Sequence, residues 1–209
     1  MFHRVVAFVS KKFLSNIFNV RLLNSAGAYR QVYLTSGPVS NDESFVLKMF
    51  TLDTDFGYDN YEFARMDANV NEKLNGNARI VSLYSYCGLS TTSEAMMQGD
   101  LETVAVPTGV GRPVTIPKDE QQLSVRNTLS GTQKLVRSLE MAEAVLLLHT
   151  FSGGVIVHDD IQLSQFLFSS SGQLKLNDFN RAEIMLWNEK DNEYCKYRNH
   201  PGGGDVSIH

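Results

Sequence analysis

Two aspartates carry the first chemical signal in this chain. Asp160 lies in VIVHDDIQLSQF and Asp178 in LKLNDF, eighteen residues apart, and short apolar runs flank both. Runs of that length read as strands, so each carboxylate sits where a rigid element gives way to a loop. Carboxylate and amide oxygens suit magnesium, a hard cation that prefers oxygen ligands. Far upstream, Lys48 follows the apolar run FVL and offers a cation on another strand. Carboxylates for a metal, a cation for phosphate and a group that orients an attacking hydroxyl are the parts phosphoryl transfer needs. A lone strand lysine is more often a solvated edge residue, and a loop aspartate often only caps backbone amides. The apolar patterns around all three are what set them apart.

These residues need a scaffold, and the chain is long enough to supply one. Its 209 residues are 43% hydrophobic and 20% charged, an ordinary globular mix. A formal net charge of -4 argues against a nucleic-acid partner, which would need a basic face. Cys87 and Cys195 lie far apart, form no CxxC pair, and there is no N-glycosylation acceptor. That usage is compatible with a reducing interior, so an intracellular, cytoplasmic setting is expected. No run approaches the length of a membrane span. Residues 1–18 read as a basic extension: Arg4, Lys11, Lys12, Arg21 and Arg30 all precede the first acid, Asp42. An organelle transit segment has a similar bias.

Three strands are expected at Val20–Ser25, Arg30–Ser36 and Phe45–Phe50, separated by the turn-rich pieces SAGA and GPVSND. Residues 58–74 read as a helix, with Tyr61, Ala64, Ala68 and Leu74 on its apolar side. Apolar stretches at Ile80–Tyr86 and Leu89–Ala95 flank a Cys-Gly turn. Pro107, Pro113 and Pro117 mark 102–130 as an exposed loop. Residues 131–150 form the clearest helix, with Leu135, Leu139, Ala142, Val145 and Leu148 as its apolar face. Short strands follow near Val155–Val157, Phe166–Phe168 and Leu174–Leu176. A β-rich first part and a helix-led second part make a two-lobed α+β fold. Cys87 is expected in the core, His158 as a packed structural histidine, and His149 as a helix-end cation. Gly202–Gly204 read as a flexible tail.

The stretch from His158 to Gln165, HDDIQLSQ, resembles the catalytic loop of the protein kinase superfamily, and NDFN its magnesium-binding motif. FVLK is similar to the strand that carries that family's phosphate-binding lysine. SAGAYRQV, starting at Ser25, resembles its glycine-rich loop with Ser25 and Arg30 in place of two glycines. The segment from Asp67 to Leu74 resembles the helix that carries the lysine's acidic partner. The segment from Ser93 to Leu101 resembles the hinge, and Met141–His149 the helix before the catalytic loop. The resemblance spans residues 20–205, and the tail EYCKYRN is also similar to algal and other protist kinase-like proteins.

The resemblance implies a two-lobed kinase-like fold with a β-rich N-lobe (19–95) and an incomplete helical C-lobe (96–209). It implies ATP and Mg2+ as cofactors and a protein substrate or partner. Lys48 would bond the α- and β-phosphates and pair with Asp67, with Glu62 and Glu72 as alternatives. Ser25, Gly27 and Val32 would lie along the nucleotide. Ser93 would be the gatekeeper, and backbone groups of Glu94 and Met96 would bond adenine. Asp178 and Gln165 would hold magnesium, and Asp160 would accept the hydroxyl proton.

Departures from the family pattern bear on activity. Asp159 replaces the loop arginine, so a phosphorylated activation segment meets a like charge. Gln162 removes a lysine near the transferred phosphate. Gln165 offers its carbonyl oxygen from one methylene farther out than asparagine. Asn180 replaces a glycine, and asparagine tolerates positive φ better than most residues. Arg30 would add bulk and charge over the phosphates. No A-P-E motif follows NDFN. The expectation is ATP binding with phosphoryl transfer to protein Ser, Thr or Tyr hydroxyls; the alternative is an impaired pseudokinase or truncated fragment acting as an interaction module.

Overall fold

The computed structural model describes residues 19–24, 30–36, 44–50, 57–105 and 129–195. The basic extension 1–18, Ser25 and Gly27 of the phosphate-loop reading, and the tail from 196 onward lie outside the described residues. The chain forms two compact units. The first runs to Asn77, resumes at Val81–Ala95 and takes Phe179–Ala182; the second takes Ala78–Ile80, Met96–Asp178 and the chain from Glu183.

The first unit is an antiparallel sheet of β1 (Asn19–Asn24), β2 (Arg30–Ser36), β3 (Ser44–Phe50), β4 (Leu83–Cys87) and β5 (Ser90–Glu94), in the order β1-β2-β3-β5-β4. Period-2 alternation puts Tyr33 and Thr35 of β2 on the buried side. Tyr33 lies opposite the buried Leu47 of β3, so one cross-strand pair joins the two elements. Gly88 supplies the left-handed φ of 59° that turns β4 into β5. Helix α1 (Tyr58–Leu74) buries Ala64, Asp67, Ala68, Val70, Asn71 and Leu74, one face at three- and four-residue spacing. Tyr61, expected on that face, is 51% exposed. The Asn75 side chain fixes the return to the sheet. Its Nδ2 donates to the Leu83 carbonyl at 2.8 Å, and its Oδ1 accepts from the Leu83 N–H at 3.1 Å. Cys87 ends β4, the last strand of the sheet, and is exposed rather than core, because nothing pairs beyond that edge among the described residues.

The second unit opens with the short helix α2 (Leu101–Ala105), so the start of the stretch expected as a loop is helical. Asp100 Oδ1 explains it by accepting from Thr103 N–H and hydroxyl, both at 2.8 Å. Residues 106–128 lie outside the described residues. Helix α3 (Gly131–His149) starts with a reciprocal Ser130–Gln133 capping box. His149 stands in its last turn, where the dipole favours a cation. The expected apolar face of α3 is displaced: Leu135 and Leu139 are 73% and 60% exposed, whereas Glu140, Ala144 and Leu148 are buried. The buried side is set by β6 and β8, on which α3 packs. Glu140 is satisfied there by Arg79 at 2.8 Å and by Arg137.

Three two-stranded ribbons complete the unit: β6 (Val155–Val157) with β9 (Glu183–Met185), β7 (Phe166–Phe168) with β8 (Leu174–Leu176), and β10 (Trp187–Asn188) with β11 (Glu193–Tyr194). The last three strands were not expected: unlike the apolar VIV, FLF and LKL runs, EIM, WN and EY mix apolar with charged or polar residues. Isolated bridges tie Ile80 to Leu176 and Asp100 to Leu167. The β6–β9 pairing depends on Gly154. Its φ is 127°, and an added Cβ would lie 2.6 Å from the Met185 carbonyl oxygen. Gly154→Ala should therefore lower the stability of the second unit by about 1–3 kcal/mol. Gly172→Ala, also at positive φ (77°) but in open space, should cost less. Thermal melts of the two variants check the order.

Candidate functional site

The first cluster is built on β3 and α1. Lys48 lies opposite Val32 of β2 and Thr91 of β5, in the middle of the sheet, and is only 8% exposed. Asp67, on the buried face of α1, is 1% exposed. The Lys48 ammonium stands 3.4 Å from Asp67 Oδ2. Glu62 pairs instead with Arg65, and Glu72 accepts from the Tyr86 hydroxyl. Of the three candidate acids, the structure brings Asp67 to the lysine.

Asp67 has more than one partner. The Arg30 guanidinium reaches the same Oδ2 at 2.6 Å, and the Phe179 backbone N–H donates to Oδ1 at 2.9 Å. Arg30 is buried with this carboxylate rather than set out over a ligand, which corrects the expectation for it. The signal was available: Arg30 and Val32 are two apart on β2, so they share a face, and Val32 faces Lys48. Burial alone would raise the Asp67 pKa. The charges of Lys48 and Arg30, with the bonds from Arg30 and Phe179, outweigh it and hold the carboxyl down to about 2.

Other expected residues of this unit fall as follows. Val32 is half-buried on β2. Ser93 is buried and lies opposite Val46. Glu94 is locked to Ser82 twice: its N–H donates to the Ser82 carbonyl at 2.9 Å, and its Oε1 accepts from the Ser82 N–H at 3.0 Å. Asn180 does not take the positive φ that its glycine-like position suggested. The non-glycine residues at positive φ among those described are Asp159 (φ 61°), Asp178 (φ 63°) and Asn192 (φ 53°). Asn180 Oδ1 is buried and finds no hydrogen-bond partner among the described residues.

The second cluster lies in the other unit, and Met96 belongs to that unit too. His158 is 3% exposed and organises the loop. Its Nδ1 accepts from the Asp160 N–H at 3.3 Å, which leaves Nε2 to donate to the Asn177 carbonyl at 3.1 Å. The histidine is thus a structural tie between the two motifs. A second tie runs from the Asn177 N–H to the Gln165 carbonyl at 3.0 Å. The β7–β8 hairpin thereby brings Gln165 beside the residue that precedes Asp178. Gln162 Nε2 donates to Asp160 Oδ1 at 3.1 Å and Oδ2 at 3.2 Å, and Gln165 Nε2 to Oδ2 at 3.1 Å. Two amides therefore hold the Asp160 carboxylate, a constraint the sequence reading missed. No cluster of three or more His, Cys, Asp or Glu that could hold a metal occurs among the described residues. No helix among them is long and apolar enough to cross a membrane.

No protein-family model matches the sequence, and no curated protein does. Solved structures do match, 1555 chains of them. One chain is from the CAK (CDK-activating kinase) complex of Chaetomium thermophilum bound to ATP-gamma-S. It is similar with a TM-score of 0.61 at 18% identity, over 84% of this chain and 51% of that one. The fold is kinase-like. The chain spans about half the length of that matched chain. The five-stranded sheet with α1 is the N-lobe-like part of the fold.

The depressed Asp67 pKa gives a signed prediction. A carboxyl whose folded pKa lies below its unfolded value stabilises the fold above the unfolded pKa, and that stability is lost as pH falls through the folded one. Asp67 should contribute about 2 kcal/mol, lost between roughly pH 4 and pH 2. Asp67→Asn should be less stable at neutral pH and lack that part of the acid loss. Urea melts from neutral pH to pH 2 compare the two profiles.

Proposed function

We propose that this chain is a kinase-like ATP-binding domain of the class that moves the γ-phosphate of ATP to Ser, Thr or Tyr hydroxyls of a protein. The observation that carries the reading is the buried Lys48–Asp67 pair, a strand lysine fixed by a helix acid nineteen residues on. A lysine held this way keeps its direction, which is what a phosphate-binding cation needs. ATP-gamma-S in the similar CAK complex favours a nucleotide as the ligand class.

In this reading Lys48 binds the α- and β-phosphates and Asp67 positions it. Ser25, Gly27 and Val32 follow the nucleotide, and the backbones of Glu94 and Met96 read adenine. Asp178 and Gln165 are the residues that would hold magnesium. Both are oxygen donors at neighbouring strand ends, and magnesium is commonly held by one or two carboxylates with the remaining sites filled by phosphate and water. When bound, the ion neutralises charge on the phosphates. Asp160 orients the substrate hydroxyl and accepts its proton.

A specific observation also favours the second reading, a catalytically impaired pseudokinase. The amides of Gln162 and Gln165 already occupy both oxygens of the Asp160 carboxylate, so a substrate hydroxyl would have to displace one of them to reach it.

Both readings predict that ATP raises the melting temperature by several degrees at saturating concentration. The active reading predicts phosphoryl transfer to a protein acceptor that disappears in Asp160→Ala. The impaired reading predicts the melting shift without transfer. A folded protein that shows no shift, with or without magnesium, contradicts both.

A further inference from the structure

The β10–β11 ribbon sets Trp187 directly opposite Tyr194, with ring centroids 5.0 Å apart and planes at 81°. Both rings remain about half exposed, at 49% and 48%. Cross-strand aromatic contact stabilises so short a ribbon, but it does not account for what stands beside it. Phe151, just past α3, lines the same cavity of about 540 Å3, together with His149, Val155 and Leu186. The Phe151 ring depends on a glycine: a Cβ on Gly153 would lie 2.5 Å from its Cε1.

We propose that this cavity binds a trimethylammonium group. Trp187, Tyr194 and Phe151 all line this one space, and a cation over an aromatic face is attracted by its quadrupole. Methyl groups on the cation add apolar burial and spare it the strong hydration of a bare ammonium. The ribbon carries Glu189, Asp191 and Glu193 against Lys190, so the local charge favours a cation and disfavours an anion. The volume leaves room for the alkyl chain that bears the head group. None of these residues belongs to the proposed nucleotide site, so the inference stands apart from that reading.

Trp187 is the chain's single tryptophan, so its emission reports the site directly. The full chain is titrated at about pH 8. The probes are Nα-acetyl-trimethyllysine methylamide, choline and the neutral carbon isostere of choline. The two cations should give a saturable change, with the isostere at least about tenfold weaker. Tyr194→Leu and Phe151→Leu should each weaken binding at least about threefold, while Tyr194→Phe retains it. Circular dichroism establishes that each variant is folded. A preference for the lysine derivative assigns the site to a methylated protein side chain; equal or tighter choline binding assigns it to a small soluble cation. No saturable change in the folded wild type, or an isostere that binds as tightly as the cations, overturns the proposal.

Discussion

The carboxylate of Asp67 is the point on which the first unit converges. It is fully buried, and a buried charge is tolerated only when it is paired and hydrogen-bonded. Lys48 comes to it from β3, Arg30 from β2 and the Phe179 N–H from the segment after NDF. One side chain thus fixes a strand lysine, the first residue of a second strand and the backbone of Phe179. Removing the acid would take from Lys48 and Arg30 the carboxylate they share, so the pair is a constraint on the fold as much as a feature of the site.

The second unit solves a related problem with neutral groups. His158, Asn177 and Gln165 tie the HDD and NDF segments together through ring and backbone hydrogen bonds. Asp159 and Asp178 take left-handed backbone at the two segments. Non-glycine residues hold that conformation where the surroundings over-determine it, often at functional loops. The amides of Gln162 and Gln165 keep the Asp160 carboxylate in a fixed place.

Much of this was legible in the sequence, for identifiable reasons. Helix α1 and strand β2 appear with the bounds the pattern suggested, because long amphipathic and alternating runs are strong signals. The Lys48–Asp67 pair was legible only through the family resemblance; nothing in periodicity links residues so far apart. Helix α3 was legible as a helix but not as a face. Its leucines form a clean stripe, yet the packed side is chosen by β6, β8 and the arginines that reach Glu140. Arg30 was read toward a ligand because its motif position outweighed the strand register that turns it inward. The short strands β9 to β11, and with them the Trp187–Tyr194 pair, depend on tertiary pairing that no local pattern announces.

The central claim is that Lys48, held by Asp67, binds the phosphates of ATP. Isothermal titration of the full chain with ATP and magnesium tests it most directly, using Lys48→Met beside the surface control Lys134→Met. Asp67 keeps Arg30 as a partner in Lys48→Met, so that variant should remain folded. The account predicts saturable binding by wild type and Lys134→Met, and affinity at least about tenfold weaker in Lys48→Met. Equal binding by Lys48→Met, or none by the folded wild type, would contradict it.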